Sequence, residues 1–312
     1  MDVSSLKSTI PVPWFEPAVD DLSRAVLYTL AYSDVFDYPL TLNQVWRYLI
    51  GIPASRGAVQ TMLHAVPEVE TDGTYYFLAG RQMITELREA RAEIARRMWP
   101  RVRRYGARIA RLPFVRMVAL TGALAMVNAP ARDDFDFLIV TEPGYLWLSR
   151  ALVIALVVRP SKLMGDEVCP NYLITTESLT FTSRDLYTAH ELAQMVPLAG
   201  KALYAKLRER NAWVYEFLPN AQGAPDDVAG EAPSPKGWLS RRLAEPLLRS
   251  DLGARLDQWE MARKIPRLAA GHSNPEISFD RDHCKGHIGA HQAWVCEGFL
   301  DRVSRLRQPG TP

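Results

Sequence analysis

Two carboxylates one residue apart, Asp134 and Asp136, stand at the head of a short apolar run, Phe137-Leu138-Ile139-Val140. Strand side chains alternate faces, so both acids project one way and Phe135 the other. The run behind them is what a buried strand requires. Two like charges beside a buried strand are unfavourable unless a cation or a donor compensates them. Carboxylate oxygens are hard ligands that suit Mg²⁺, an ion usually held by one or two carboxylates together with substrate phosphates. The plainer alternative is that Asp133, Asp134 and Asp136 only give a polar start to the strand. Upstream lies a second apolar stretch, Val118 to Met126, read as a strand, a tight turn at Gly122 and a short helix or loop.

An apolar strand, a Gly-Ser or similar small pair, about ten residues and then Asp-x-Asp resembles the nucleotidyltransferase superfamily with a DNA polymerase β-like palm. Here the small pair is Gly122-Ala123, ten residues intervene, and the acids are Asp134 and Asp136. The wider run from Pro113 to Trp147 is similar to bacterial nucleotidyltransferase-domain proteins of unassigned substrate. The resemblance implies that Asp134 and Asp136 are both the catalytic acids and the ligands of one or two Mg²⁺ ions bridging a nucleoside triphosphate such as ATP. It also implies that Thr121, Gly122 and Ala123 bind the nucleotide, because a residue without a side chain lets the backbone approach the phosphates. An acceptor would attack the α-phosphorus and pyrophosphate would leave, with two metals stabilising both oxygens.

The chain departs from that pattern twice. The usual Ser is Ala123, which has no hydroxyl for a phosphate, a loss of roughly 1.5–3 kcal/mol for a bond to a charged group. The superfamily often carries a third carboxylate on a later strand. The next strand candidate, Asn171 to Thr175, has no acid, although Asp166, Glu167 and Glu177 flank it. Glu191, in a later predicted helix, is a further candidate for a base.

Composition narrows the partners. The chain has 312 residues, 48% of them hydrophobic and 23% charged, with a net charge of only +2. It therefore reads as an ordinary globular protein of two or three domains, and overall charge makes no case for nucleic acid. Three cysteines suggest no disulfide framework and suit a reducing cytoplasm. The N-terminus shows no apolar core of signal-peptide length. The most apolar stretch, Ala151 to Val158, is too short to span a bilayer, and no membrane partner is expected.

The elements that must position the acids follow in order. Residues 1–19 carry Pro11, Pro13 and Pro17 and read as an irregular arm. A helix starts near Asp20-Asp21. Thr41 caps a second, Leu42 to Leu49, and Ser55 a third, Arg56 to Ala65. Val69 to Leu78, with Asp72-Gly73 at its centre, reads as a hairpin. Three short helices and a hairpin make a winged-helix pattern. The third helix offers only Arg56, Gln60, Thr61 and His64, and the hairpin carries Glu68, Glu70 and Asp72, which would repel phosphate. Packing or protein contact is thus preferred to DNA binding.

Residues 81–111 hold ten arginines, with acids only in the first half, and Pro100 is expected to kink or divide the helix. A solvated helix whose charges follow its own dipole is preferred to a basic surface leading nucleic acid to the site. Tyr145 to Val158 reads as a helix. Leu179 to Phe181 is expected to extend or pair with the strand around Leu173, Ser183 to cap a helix through Met195, and Gly200 to Phe217 to form another. Residues 221–237 are a linker by composition. Helices interrupted near Pro246 and Pro266 follow, then a last helix from about His287 to Arg307. His283, His287 and His291 recur every four residues and would form a metal-binding stripe on a continuous helix, but Gly286 and Gly289 argue against one, and ordinary histidines are preferred.

The expected architecture is α+β: a winged-helix-like domain (1–81), a nucleotidyltransferase domain with a mixed sheet and helices (82–220), a linker (221–237) and a C-terminal helical region (238–312). The expected function is Mg²⁺-dependent transfer of a nucleoside monophosphate to an unidentified acceptor. A catalytically inactive binding or regulatory protein on the same fold is the alternative, and a DNA-binding regulator comes third.

Overall fold

The computed structural model describes residues 21–225, 238–270, 278–286 and 289–307. The expected irregular arm, and all but the first five residues of the expected linker, lie outside them.

The chain begins with three helices, α1 (Asp21–Asp34), α2 (Leu42–Arg47) and α3 (Arg56–Ala65), then a hairpin of β1 (Val69–Thr71) and β2 (Tyr76–Leu78). Local chemistry sets their ends. Thr41 forms a reciprocal cap with Gln44, and Ser55 accepts from the Ala58 amide. Helix α1 is apolar on two sides. Ala25, Val26 and Leu30 pack against α2 and α3, while Tyr28, Ala31 and Tyr32 pack against the rest of the protein.

Helix α4 (Ile84–Ala110) leads to the central sheet. It continues through Pro100, against the expectation of a kink or a break. Burial of Met98, Trp99, Val102 and Tyr105 around that position offsets the lost backbone hydrogen bond. The sheet comprises β3 (Val115–Leu120), β4 (Phe135–Thr141), β5 (Val168–Thr175), β6 (Val196–Ala199), β7 (Ser278–Phe279) and β8 (His283–Lys285), in the order β6-β3-β4-β5-β8-β7. Only β4 and β5 are parallel. Their crossover is α6 (Leu146–Val153), a π-helical turn (Ile154–Val158) and α7 (Arg159–Leu163).

Side chains alternate across the sheet as period two requires. Met117, Ala119, Leu138, Val140, Tyr172 and Ile174 face one core, shared with α1, α8 (Leu186–Gln194), α9 (Lys201–Arg210), α10 (Val214–Phe217) and α13 (Gly289–Arg307). Val118, Leu120, Phe137, Ile139 and Leu173 face the other, shared with α4, α6 and α12 (Asp251–Ala269).

Several expectations are corrected. Leu179 to Phe181 forms no strand; its Phe181 amide and Leu179 carbonyl are taken by the buried Asn211 side chain. Asp185, not Ser183, caps α8 by accepting from Thr188. Residues 196–199 form an edge strand that the sequence reading missed, and Gly200 to Phe217 is two helices. Pro246 and Pro266 lie inside α11 (Trp238–Leu248) and α12, so the break falls between the two helices instead. The C-terminal region is not purely helical, because β8 pairs with β5 and extends the sheet. Among the described residues, no helix is long and apolar enough to cross a membrane.

Candidate functional site

Asp136 lies second in β4, two residues before Leu138, and therefore on the face of the first core. Asp134 precedes the strand by one residue. The Thr121 amide donates to the Asp136 carbonyl at 2.9 Å, fixing the β3–α5 turn against the start of β4; α5 is the short helix Gly122–Ala125. Gly122 has φ +71°, and a Cβ built there would stand 2.7 Å from Asp136 Oδ2. Glycine adopts this backbone conformation without strain and leaves room for the carboxylate.

The exit of α5 is clamped by the N-terminal helices. The Tyr38 hydroxyl donates to the Met126 carbonyl, and Arg88 donates to the Val127 carbonyl at 2.8 Å while stacking 3.9 Å from the Tyr38 ring centre. Arg91 reaches the Phe36 carbonyl at 2.9 Å. These arginines join the N-terminal elements to the sheet and form no basic track.

A third side chain completes a cluster. Cys169 in β5 pairs with Asp136 in parallel register, and ligand atoms of Asp134, Asp136 and Cys169 all lie within 4.8 Å of one another. Strict alternation from Tyr172 would turn Cys169 to the opposite face. The register shifts, however, so that Asp136 matches Cys169 while Leu138 matches Tyr172. This bulge, with Pro170 inside it, returns Cys169 to the face of the acids. The flanking acids do not take that place. Asp166 is paired with Arg101 and accepts from Tyr105 at 2.8 Å, Glu177 is exposed, and Glu167 offers its carbonyl to Phe135.

Electrostatics are strained throughout the cluster. Burial, reinforced by the Asp134 charge, pushes Asp136 up to about 8 and Asp133 up to about 6. Burial and the two carboxylates push the Cys169 thiol well above its ordinary range. In the absence of a cation Asp136 and the Cys169 thiol hold their protons at neutral pH.

The cluster forms one end of a cavity of about 470 Å³. Gly122, Ala123, Asp133, Asp134 and Asp136 line it; Thr121 does not, and its hydroxyl sits 3.4 Å from the Asp136 carbonyl. Glu191 lines it from α8, and burial pushes its carboxyl up to about 7. Tyr32 of α1, Phe36 in the turn after it, His190 of α8 and Trp294 of α13 supply much of the remaining wall. Sequence reasoning missed these because they come from elements far apart in the chain. Gln194 also lines the cavity, whereas Asn211 and Trp213 are buried away from it.

The histidine stripe does not form. His283 lies in β8 with Nδ1 3.1 Å from Asp280 Oδ1, His287 lies outside the described residues, and His291 belongs to α13.

No known protein family, curated protein or solved structure matches this chain.

Proposed function

We propose that the chain is a Mg²⁺-dependent nucleotidyltransferase of the superfamily with the DNA polymerase β-like palm, moving a nucleoside monophosphate from a triphosphate to an acceptor. The observation that carries this reading is the Gly122 turn pressed against Asp136, beside Asp134, at one end of a large cavity. The donor set fits a divalent cation: ionising Asp136 beside Asp134 is unfavourable by burial and repulsion, and a cation between them relieves both. When bound, that cation would neutralise the phosphates and the leaving pyrophosphate.

The chain's own residues do the rest. Asp134 and Asp136 hold the cation. Gly122 and Ala123 offer backbone without a bulky side chain to the phosphates. Glu191, raised by burial, takes the proton as an acceptor hydroxyl attacks the α-phosphorus and the bond to the β-phosphate breaks. The N-terminal elements, read as a winged helix, lend α1 and the segment after it to the wall of the cavity and do not serve as a DNA reader.

Ala123, without a hydroxyl, and Cys169, where a carboxylate would complete the set, favour a second reading: a nucleotide-binding protein on this fold without turnover. Thermal unfolding with each of the four ribonucleoside triphosphates, with and without Mg²⁺, tests both. A ligand at 100 times its Kd stabilises by about 2.7 kcal/mol. A Mg²⁺-dependent shift that Asp136→Asn abolishes supports the site. No shift with any nucleotide defeats both readings, and a shift without pyrophosphate release supports the second.

A further inference from the structure

Beside the acids of the cluster, the cavity is lined by acceptors and aromatic rings. Outside the cluster it presents the Glu191 carboxylate, while among the described residues that line the cavity none is Lys or Arg. Lys285 is the cation whose charge reaches Glu191, and it stands outside the lining. His190 is 3% exposed, and its Nδ1 lies 2.9 Å from the Leu186 carbonyl. A carbonyl only accepts, so the ring proton sits on Nδ1 and Nε2 is a bare acceptor. The Asn171 Oδ1 atom is buried without a hydrogen-bond partner. Around these acceptors stand π faces. Tyr32 stacks on His190 at 3.8 Å, and Phe36 meets Trp294 edge-on at 5.8 Å.

We propose that the part of the cavity walled by Glu191, His190, Tyr32, Phe36 and Trp294 receives a small organic ammonium ion carrying a hydroxyl or amine. The aromatic rings and the Glu191 carboxylate attract its charge, and Glu191 and His190 Nε2 accept its O–H or N–H protons. Aromatic boxes with a carboxylate attract such cations because each ring presents the negative face of its quadrupole. The proposal rests on the transferase reading only in making the ammonium compound the acceptor.

Calorimetric titration of the full chain with choline, and with its neutral isostere 3,3-dimethylbutan-1-ol, tests the site without metal or nucleotide. Choline is expected to bind at least about tenfold more tightly than the isostere. Glu191→Gln and Trp294→Ala are each expected to weaken choline about tenfold. Trp294 is 51% exposed, and an unchanged melting temperature verifies that the variant is folded. Equal affinity for the two isosteres overturns the proposal, as does failure of both choline and spermidine to bind. Choline binding without any nucleotide-dependent stabilisation upholds the cation site and defeats only the transferase reading. A Mg²⁺-dependent nucleotide shift without binding of either cation does the reverse.

Discussion

The Asp136 carboxylate occupies the space that a side chain on Gly122 would need, with Oδ2 2.7 Å from the position of a Cβ there. Gly122→Ala therefore has two consequences. A left-handed backbone costs an L-residue about 1–2 kcal/mol, and the carboxylate must swing away from Asp134. We expect a lowered melting temperature together with loss of Mg²⁺-dependent nucleotide binding, whereas Ala123→Ser keeps both. Intact binding in Gly122→Ala would show that the Asp136 position is not what the ligand uses.

The buried acids make stability fall with rising pH when no metal is present. Asp136, Asp133 and Glu191 are raised to about 8, 6 and 7. The folded state thus keeps protons that the unfolded chain releases near 4. Their contribution is complete below about pH 4 and is lost as pH rises through 6 to 8, at most ~1.4 kcal/mol per pH unit for each group. Metal-free melting temperatures should decline between about pH 5 and about pH 9, more gently in Asp136→Asn. Saturating Mg²⁺ should restore the wild type and leave the variant unchanged. A flat profile in the wild type would mean that these carboxyls are solvated.

How much of this site could be read beforehand depended on whether its parts were local. The Gly122 turn and the acids lie within fifteen residues and carry their own pattern, as do the caps at Thr41 and Ser55. Cys169 was not legible, because it reaches Asp136 only through a parallel pairing and a bulge that reverses its face. Strand β6, four residues long with Pro197 inside, is held by β3 more than by its own propensity. The wall formed by Tyr32, Phe36 and Trp294 joins α1 to α13, an association that no local periodicity reports. Pro100 shows the opposite failure, a strong local signal overruled by burial around it.

Cys169 should set the metal preference. A thiolate is a soft ligand that favours Zn²⁺ or Cd²⁺, while carboxylates favour Mg²⁺. Cys169→Ala is expected to lower Cd²⁺ affinity, measured by calorimetric titration, and to leave Mg²⁺ affinity nearly unchanged. Cys169→Asp should tighten Mg²⁺. If Cd²⁺ binds equally well to Cys169→Ala, the thiol takes no part in the cluster.

Asp34 links three parts of the fold around the cavity. It accepts from Arg81 Nε at 2.7 Å and from Arg302 Nε at 2.6 Å, joining the end of α1 to the start of α4 and to α13. Both arginines are partly exposed, so Asp34→Ala should cost about 1.5–3 kcal/mol, the range for hydrogen bonds to charged groups, and not the full penalty of a buried broken pair. Because Phe36 and Trp294 flank this junction, choline affinity should fall in the same variant. Retained affinity alongside reduced stability would separate the wall from the junction.

Glu191 gives the sharpest kinetic test of the transferase reading. Burial raises it to about 7, so a base at this position becomes competent only as pH passes through that value. With saturating Mg²⁺ and nucleotide, the rate of pyrophosphate release should climb to a plateau above about pH 7. Glu191→Gln keeps the shape and removes the basic oxygen. Its rate should fall by about 10²–10⁴-fold and lose the limb near neutrality, while nucleotide binding, which depends on Asp134 and Asp136, stays intact. If Glu191→Gln releases pyrophosphate at the wild-type rate with the same limb, the proton goes elsewhere, and Glu191 is left with the cation alone.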